Sequence, residues 1–298
     1  VLEGFVNLYK EIGMTSHDAV AIARRVIGSR RVGHMGTLDP AAEGVLPLAI
    51  GRATRLISFV EGTTKEYKAE LVLGIATDTW DLTGQVLVTA NAAHIAREHV
   101  AEVLPQFIGR IAQEPPMFSA IKIAGRKLYE FARQGIEVAR ESRAVEIHAL
   151  EIEGWREEGI RRVAVLKISC SKGTYVRSLC RDLGKALGIA ACMGRLLRIA
   201  SGPFRVEGSV SLRELERDTV RHVMAIDSFL LAFPKVVIAP NEAARFVFGQ
   251  RVRLAHLPEG EFAVFCGTRC LGLGANEQGV LLPTRVLSEE ENSGVKND

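Results

Sequence analysis

The stretch Arg31-Val32-Gly33-His34-Met35-Gly36-Thr37-Leu38-Asp39-Pro40-Ala41-Ala42-Glu43-Gly44-Val45-Leu46-Pro47-Leu48-Ala49-Ile50-Gly51-Arg52-Ala53-Thr54-Arg55 governs the reading of this chain. Its glycines permit tight turns and close approach of another backbone. Asp39 precedes a proline, which pushes its own backbone toward extended geometry. A Gly-rich loop is therefore expected from Gly33 to Gly44. A carboxylate on such a loop can act as nucleophile or base. It can equally be a turn residue bonded to its own backbone, because Asp-Pro often starts turns. Taken alone, the motif favours the turn.

Upstream, residues 4–10 read as a short strand. Thr15 or Ser16 can cap a helix over 17–27, with Val20, Ala23, Val26 and Ile27 on one face and Gly28 as its stop. Downstream, 65–73 alternates, with Tyr67, Ala69, Leu71 and Leu73 pointing one way. Residues 76–92 read as loop and short strand, and 93–104 as helix. Pro115-Pro116 breaks the chain before Met117-Phe118-Ser119-Ala120-Ile121-Lys122. A helix fits 127–134, and strands fit 144–153 and 161–171. Lys172-Gly173-Thr174 turns into a helix carrying Val176, Leu179, Leu183 and Leu187 on one stripe, ended by Gly188. Pro203 opens a connecting region, and 211–217 and 220–232 are expected as short helices. From Pro234 short apolar runs alternate with Gly and Pro, the pattern of a small, barrel-like β domain. The acidic tail from Ser288 is expected to fray. The fold class is thus mixed α/β with a boundary near 233.

The bulk numbers set limits. The 298 residues suffice for one large and one small domain. Hydrophobic residues make up 47%, enough for a sizeable core and too many for wholesale disorder. No apolar run is long enough to cross a bilayer, and the N-terminus lacks a basic segment followed by an apolar one. No membrane association is expected, and a cytoplasmic location follows. The five cysteines are odd in number and loosely spaced, which points to a reducing compartment. Cys266-x-x-x-Cys270 lacks a second pair of cysteines and a nearby histidine doublet, so packed thiols are expected there and no metal. The net charge of +3 is weak support for nucleic-acid binding. Two basic clusters, Arg24, Arg25, Arg30, Arg31 and Arg177, Arg181, Arg195, Arg198, could neutralise phosphates, but charge alone favours ordinary solvated helix faces.

Residues 31–55 resemble the signature of the TruB family of tRNA pseudouridine synthases. The resemblance continues through Lys65-Glu66-Tyr67, Pro116 to Lys122, Gly125-Arg126-Lys127-Leu128-Tyr129-Glu130, Ala132 to Gly135, and Cys170-Ser171-Lys172-Gly173-Thr174-Tyr175-Val176-Arg177-Ser178-Leu179. It covers most of residues 4–205. The C-terminal part is similar to a PUA domain, an RNA-binding module. The resemblance implies an α/β (α+β) catalytic domain with a mixed, largely antiparallel sheet over 1–233, with an insertion at about 76–122, and a PUA-like domain over 234–298. It implies isomerisation of uridine to pseudouridine in the T-arm loop of tRNA, at the U55 position, after the base leaves its stack. That reaction is redox-neutral, so no cofactor is expected, in keeping with the missing Walker and Rossmann motifs. The implied partner is the tRNA T-arm stem-loop; nothing demands an obligatory protein partner, and a monomer is expected. The 76–122 segment resembles the insertion of stand-alone bacterial enzymes rather than a guide-RNA-dependent, dyskerin-like synthase. A non-catalytic tRNA-binding or tRNA-folding protein is the competing class.

Position by position, the resemblance makes Asp39 the catalytic carboxylate and Arg177 its partner. An arginine there would favour the ionised carboxylate. Tyr67 matches a tyrosine that packs on the target base; on its own pattern it is equally a core tyrosine. His34 matches a substrate-contacting histidine, Tyr175 and Leu196 match residues lining the uridine pocket, and Lys10 matches a lysine of the N-terminal motif counted with the substrate-binding set. Without the resemblance His34, Leu196 and Lys10 read as a solvated loop histidine, a core leucine and a solvated strand end, and Tyr175 reads equally as a pocket wall or as helix-start packing. Two departures stand out. Tyr9-Lys10-Glu11 replaces the usual Asp-Lys-Pro, and Leu197 takes the place of the first of two arginines after Leu196.

Overall fold

The computed structural model describes residues 2–119, 121–123, 125–230, 233–254 and 256–287. Strand β1 (Gly4–Lys10) leads to helix α1 (Ser16–Ile27). Thr15, not Ser16, caps it: its hydroxyl accepts from Asp18 N–H at 3.0 Å, and the Asp18 carboxylate accepts from Thr15 N–H at 2.9 Å. Gly28 stops the helix in left-handed geometry at φ 71°. Strands β2 (Val32–His34) and β3 (Ala42–Ile50) flank the Asp39 loop. The loop is shorter than expected, because β3 begins at Ala42, inside the segment read as loop. Its Gly44 and Pro47 hid a central strand. Pro47 lies where β3 changes neighbours, from a pairing at residues 42–44 to β2 at residues 48–50, a place that tolerates a missing N–H.

Helix α2 (Ile57–Glu61) precedes β4 (Lys65–Leu73), and a small hairpin follows, β5 (Ile75–Thr77) with β6 (Val86–Thr89). Then come α3 (Arg97–Val103), β7 (Gly109–Gln113), the two-residue strands β8 (Lys122–Ile123) and β9 (Arg126–Lys127), and α4 (Leu128–Ala132). The long pair β10 (Arg143–Glu158) and β11 (Arg161–Cys170) leads to α5 (Val176–Ala186). Strand β12 (Ala191–Ser201), in a segment given no element from sequence, is followed by β13 (Phe204–Arg205). The main sheet runs β1-β3-β12-β4-β11-β10-β7, with β2 and β13 on its margins. Among the described residues of this sheet β12 and β3 pair in parallel and the other strands pair antiparallel, so the sheet is mixed and largely antiparallel, as expected. Helices α1, α3 and α5 cover one face through Ala19, Val20, Ala23, Val100, Leu179 and Leu183.

After α6 (Leu212–Arg217), the helix expected over 220–232 is broken into α7 (Thr219–His222) and α8 (Ile226–Leu230). Met224, between them, exchanges both backbone hydrogen bonds with Phe5 at 2.8 Å, so pairing with the β1 edge wins over helix continuity. The second sheet has the order β14-β16-β17-β18-β15. It is built from β14 (Lys235–Val237), β15 (Val252–Arg253), β16 (Gly260–Cys266), β17 (Arg269–Glu277) and β18 (Val280–Val286), with α9 (Pro240–Val247) packed against it. This curled sheet is consistent with a PUA-like unit. It shares a core with the first: Phe5, Val45, Ala49 and Leu56 pack with Phe229, Ala263, Phe265 and Leu287. The tail from Ser288 lies outside the described residues.

Candidate active site

Asp39 sits on the loop between β2 and β3, and the loop is fastened at three points. The Ser16 hydroxyl, freed from capping, accepts from Leu38 N–H at 2.8 Å and donates to Leu38 O at 2.9 Å. Gly13 N–H donates to Pro40 O at 2.8 Å. From the far side Arg198 of β12 donates from Nη2 to Gly36 O at 2.9 Å and from Nε to Val45 O at 2.7 Å. Gly44 lets β12 come this close: at φ 105°, a Cβ there would collide with the Arg198 carbonyl.

Arg177, in the first turn of α5, meets Asp39 with Nη2 to Oδ2 at 2.7 Å. The Arg177 side chain is 5% exposed and that of Asp39 39%. The same guanidinium donates to Phe118 O at 2.9 Å and Thr79 O at 3.3 Å, and its Nε lies 3.8 Å from Oδ2 of Asp81. Asp81 is buried, and its other oxygen accepts from Thr83 N–H at 2.9 Å and from the Thr79 hydroxyl at 2.8 Å. One arginine thus faces two carboxylates that lie far apart in the chain.

A cavity of about 510 Å³ opens beside this pair, lined by Asp39, Tyr67, Tyr175, Arg177 and Leu196 together with Lys65 and Arg198. A second cavity of about 550 Å³ lies across the pair, lined by Ile12, Pro40, Leu82 and Phe118. The first has the volume of a small-molecule site. Tyr67 is 8% exposed on β4. Burial pushes its hydroxyl above the ordinary tyrosine range, with the adjacent Arg198 opposing the shift, so it is a protonated donor at neutral pH. Tyr175 caps α5, its N–H donating to Gln113 Oε1 at 2.7 Å.

Five of the seven residues singled out from sequence therefore meet at one cavity. Lys10 and His34 do not line it. Lys10 is fully buried, and its ammonium donates to Glu11 O at 3.0 Å and Met14 O at 2.8 Å. It stitches the turn beneath the Asp39 loop and is not placed to touch a substrate. Burial pushes it down to about 8, against the raising effect of nearby Asp39. His34 ends β2, half-buried, with its ring 6.0 Å from that of His17 and its Nδ1 buried without a partner. Burial, then His17 and Arg198, lower its pKa, favouring neutral imidazole.

The basic cluster near α5 also reads differently in three dimensions. Arg177 and Arg198 are buried and engaged, and Arg181 pairs with Glu114 and Asp182; Arg195 alone of the four is largely exposed. Sequence reasoning missed Asp81, Lys65 and the loop-holding role of Arg198. Lys65 ties down the end of α2 through Glu61 O at 3.0 Å and Thr63 O at 2.7 Å, and burial brings it to about 8. The Thr77-Asp78-Thr79-Trp80-Asp81-Leu82-Thr83 run, dense in acid and hydroxyl, was the available signal for Asp81.

Comparison with known proteins gives the family. Residues 24–176 match the N-terminal domain model of TruB family pseudouridylate synthases. Residues 177–243 match a tRNA pseudouridylate synthase B C-terminal domain, and 234–287 a pseudouridine synthase II TruB C-terminal model. A protein named tRNA pseudouridine synthase B from Gloeobacter violaceus is 46% identical over 297 residues, spanning 96% of this chain and 99% of its own. The chain belongs to the TruB family. A second relative of the same name, from Symbiobacterium thermophilum, is 46% identical over 248 residues, 83% of this chain and 82% of its own. A chain from the solved structure of a Cbf5-Nop10-Gar1 complex aligns with a TM-score of 0.70 at 25% identity, over 96% of this chain and 85% of that one. One from an H/ACA RNP bound to a substrate RNA aligns at 0.69 and 23%, a likeness of fold. As a TruB-family enzyme, the chain isomerises uridine to pseudouridine.

Proposed function

We propose that the chain converts the uridine at position 55 in the T-arm loop of tRNA to pseudouridine, with Asp39 as the catalytic carboxylate. The observation that carries the reading is the Asp39–Arg177 contact at 2.7 Å on the wall of a cavity lined by Tyr67, Tyr175 and Leu196. The reaction breaks the N1–C1′ bond, turns the base, and joins C5 to C1′; the C5 hydrogen is lost and N1 takes a proton. A carboxylate beside the sugar can attack C1′ or remove a sugar proton. Either role needs the oxygen not held by Arg177, and the partial exposure of Asp39 leaves it reachable. The Tyr67 ring supplies a platform for a base turned out of the helix. His34, at the end of β2, contacts the RNA that the base has left. Residues 1–233 act as the catalytic domain and 234–298 as an RNA-binding, PUA-like domain. The enzyme works in the cytoplasm as a monomer, without guide RNA or protein partner, and needs neither metal nor cofactor.

The test is tritium release from 5-tritiated uridine in a tRNA transcript and in an isolated T-arm hairpin, with no guide RNA added. Release is expected from both, at one site. Asp39→Asn is expected to abolish release while tRNA affinity stays nearly unchanged. Normal turnover by that variant refutes the assignment of Asp39. Release only in the presence of a guide RNA would favour a dyskerin-like mode, and tight binding with no release a tRNA-folding role.

A further inference from the structure

Trp80 has no part in the chemistry above, yet its backbone is left-handed, at φ 63°; among the described residues Gln278 is the other non-glycine with positive φ. A bulky side chain keeps that conformation only where its surroundings hold it. The holds are visible. Trp80 O accepts from Met193 N–H of β12 at 2.9 Å. The guanidinium of Arg181 lies 3.8 Å from the indole centroid and that of Arg140 5.4 Å. Glu114 joins the two arginines, Oε1 at 2.7 Å from Arg140 and Oε2 at 2.9 Å from Arg181. Both arginine side chains are largely buried, which strengthens the cation–π and ionic contacts.

The sequence neighbours of Trp80 both face Arg177: Thr79 through its carbonyl and Asp81 through its carboxylate. A left-handed residue between them lets both acceptors reach one guanidinium. Arg181 lies one turn beyond Arg177 on α5, so its stack with the indole holds this turn against the helix face that presents Arg177. The segment 119–139 is rooted in the same place. It leaves after Phe118, whose carbonyl accepts from Arg177, and it returns at Arg140. The segment carries exposed Lys122, Arg126 and Arg133, suited to a phosphate backbone.

We propose that Trp80 is a positioning residue: with Arg140, Arg181 and Glu114 it locks the basic segment 119–139 to the Arg177 turn, so that RNA lying on the segment fixes Arg177 against Asp39. The proposal rests on Asp39 and Arg177 being the working pair. Its test compares Trp80→Ala, Trp80→Phe, Trp80→Gly and Asp39→Asn with the parent enzyme, in single-turnover tritium release and in separate tRNA-binding measurements. Trp80→Ala is expected to slow release roughly tenfold or more with Kd changed less than about threefold, and Trp80→Phe to stay within about threefold of the parent rate. Trp80→Gly accepts the backbone without strain but lacks the ring, and is expected to be as slow as the alanine variant.

A parent-like rate for Trp80→Ala, or recovery by glycine equal to that by phenylalanine, overturns the proposal. Should Trp80→Ala fail to fold, Trp80 emission in a Trp155→Phe background decides. It should shift when tRNA binds and lose that response in Arg140→Ala, and an emission indifferent to tRNA overturns the coupling. Asp39→Asn separates the two levels. If it turns over normally, the site reading has failed; if it is inert while Trp80→Ala is unaffected, only the role of Trp80 has.

Discussion

Replacing Arg177 with methionine keeps much of the side-chain volume and removes the cation that faces both Asp39 and Asp81. The cost can be worked contact by contact. Asp39 is 39% exposed, so water replaces its partner and the lost pair is worth about 1 kcal/mol or less. Asp81 is only 7% exposed and keeps its hydroxyl and amide donors, so its stranded charge costs about 1–2 kcal/mol. The carbonyls of Thr79 and Phe118 each lose a charged donor, about 1 kcal/mol apiece. Relief from burying a guanidinium offsets about 1–2 kcal/mol of this. The net loss is about 3 kcal/mol, or roughly 5 °C in melting temperature for a chain of this length. The diagnostic step is Asp81→Asn. In the parent enzyme it removes a paired charge and should destabilise by about 1 kcal/mol; in Arg177→Met it removes a stranded one and should stabilise by about as much. Urea denaturation measures both. Tritium release should remain more than about a hundredfold down in every Arg177→Met background, since stability returns but the Asp39–Arg177 contact does not. An Asp81→Asn effect of the same sign in both backgrounds refutes the shared-arginine account, and so does Arg177→Met turning over within tenfold of the parent.

Lys10 gives a pH signature. Its ammonium titrates near 8 in the fold, below the ordinary lysine value of 10.5, so the unfolded chain binds more protons between those values. Stability of the parent relative to Lys10→Met should therefore rise from pH 8 to pH 10, and a flat difference in denaturation midpoints would contradict it. Gly44→Ala sets a Cβ against the Arg198 carbonyl at positive φ and should cost about 2–4 kcal/mol by splaying β3 from β12, read by thermal melting. A chain ending at residue 233 loses Ala263, Phe265, Leu273 and Leu287 from the core around Phe5 and Leu56. It should melt well below the full chain and bind a hydrophobic dye; unchanged melting would show the second sheet to be independent.

What the sequence made legible follows the physics of each segment. Helix α1 was readable because cap, periodicity and stop glycine agree. Strand β4 was readable because its burial alternates from Lys65 to Glu70. Strands β3 and β12 were not, because each is interior: β3 is buried along nearly its whole length and carries Gly44 and Pro47, which local rules assign to loops. Register between them is a tertiary fact, and it is this register that carries Arg198 to the Asp39 loop. Asp39, Tyr67 and Arg177 could be singled out as candidates from the family resemblance. Asp81 could not, since its importance lies in facing an arginine ninety-six positions away.

The two departures from the family pattern also resolve into physics. Glu11 replaces a proline that would fix the turn after β1 by restricting φ. Here Lys10 does comparable work from its side chain, bonding the carbonyls on both sides of the turn, Glu11 O and Met14 O. Leu197 replaces an arginine at a half-exposed position opposite Glu43 of β3, and its methyl carbon lies close to where a Cβ on Gly44 would project. An apolar side chain there packs over the glycine that lets the strands meet, while the arginine that matters for the loop is the next residue, Arg198. The substitutions thus fall on the supports of the Asp39 loop and leave its contacts to Ser16, Arg198 and Arg177 in place. A loop held from three directions can lose a rigid turn beneath it without losing the position of its carboxylate.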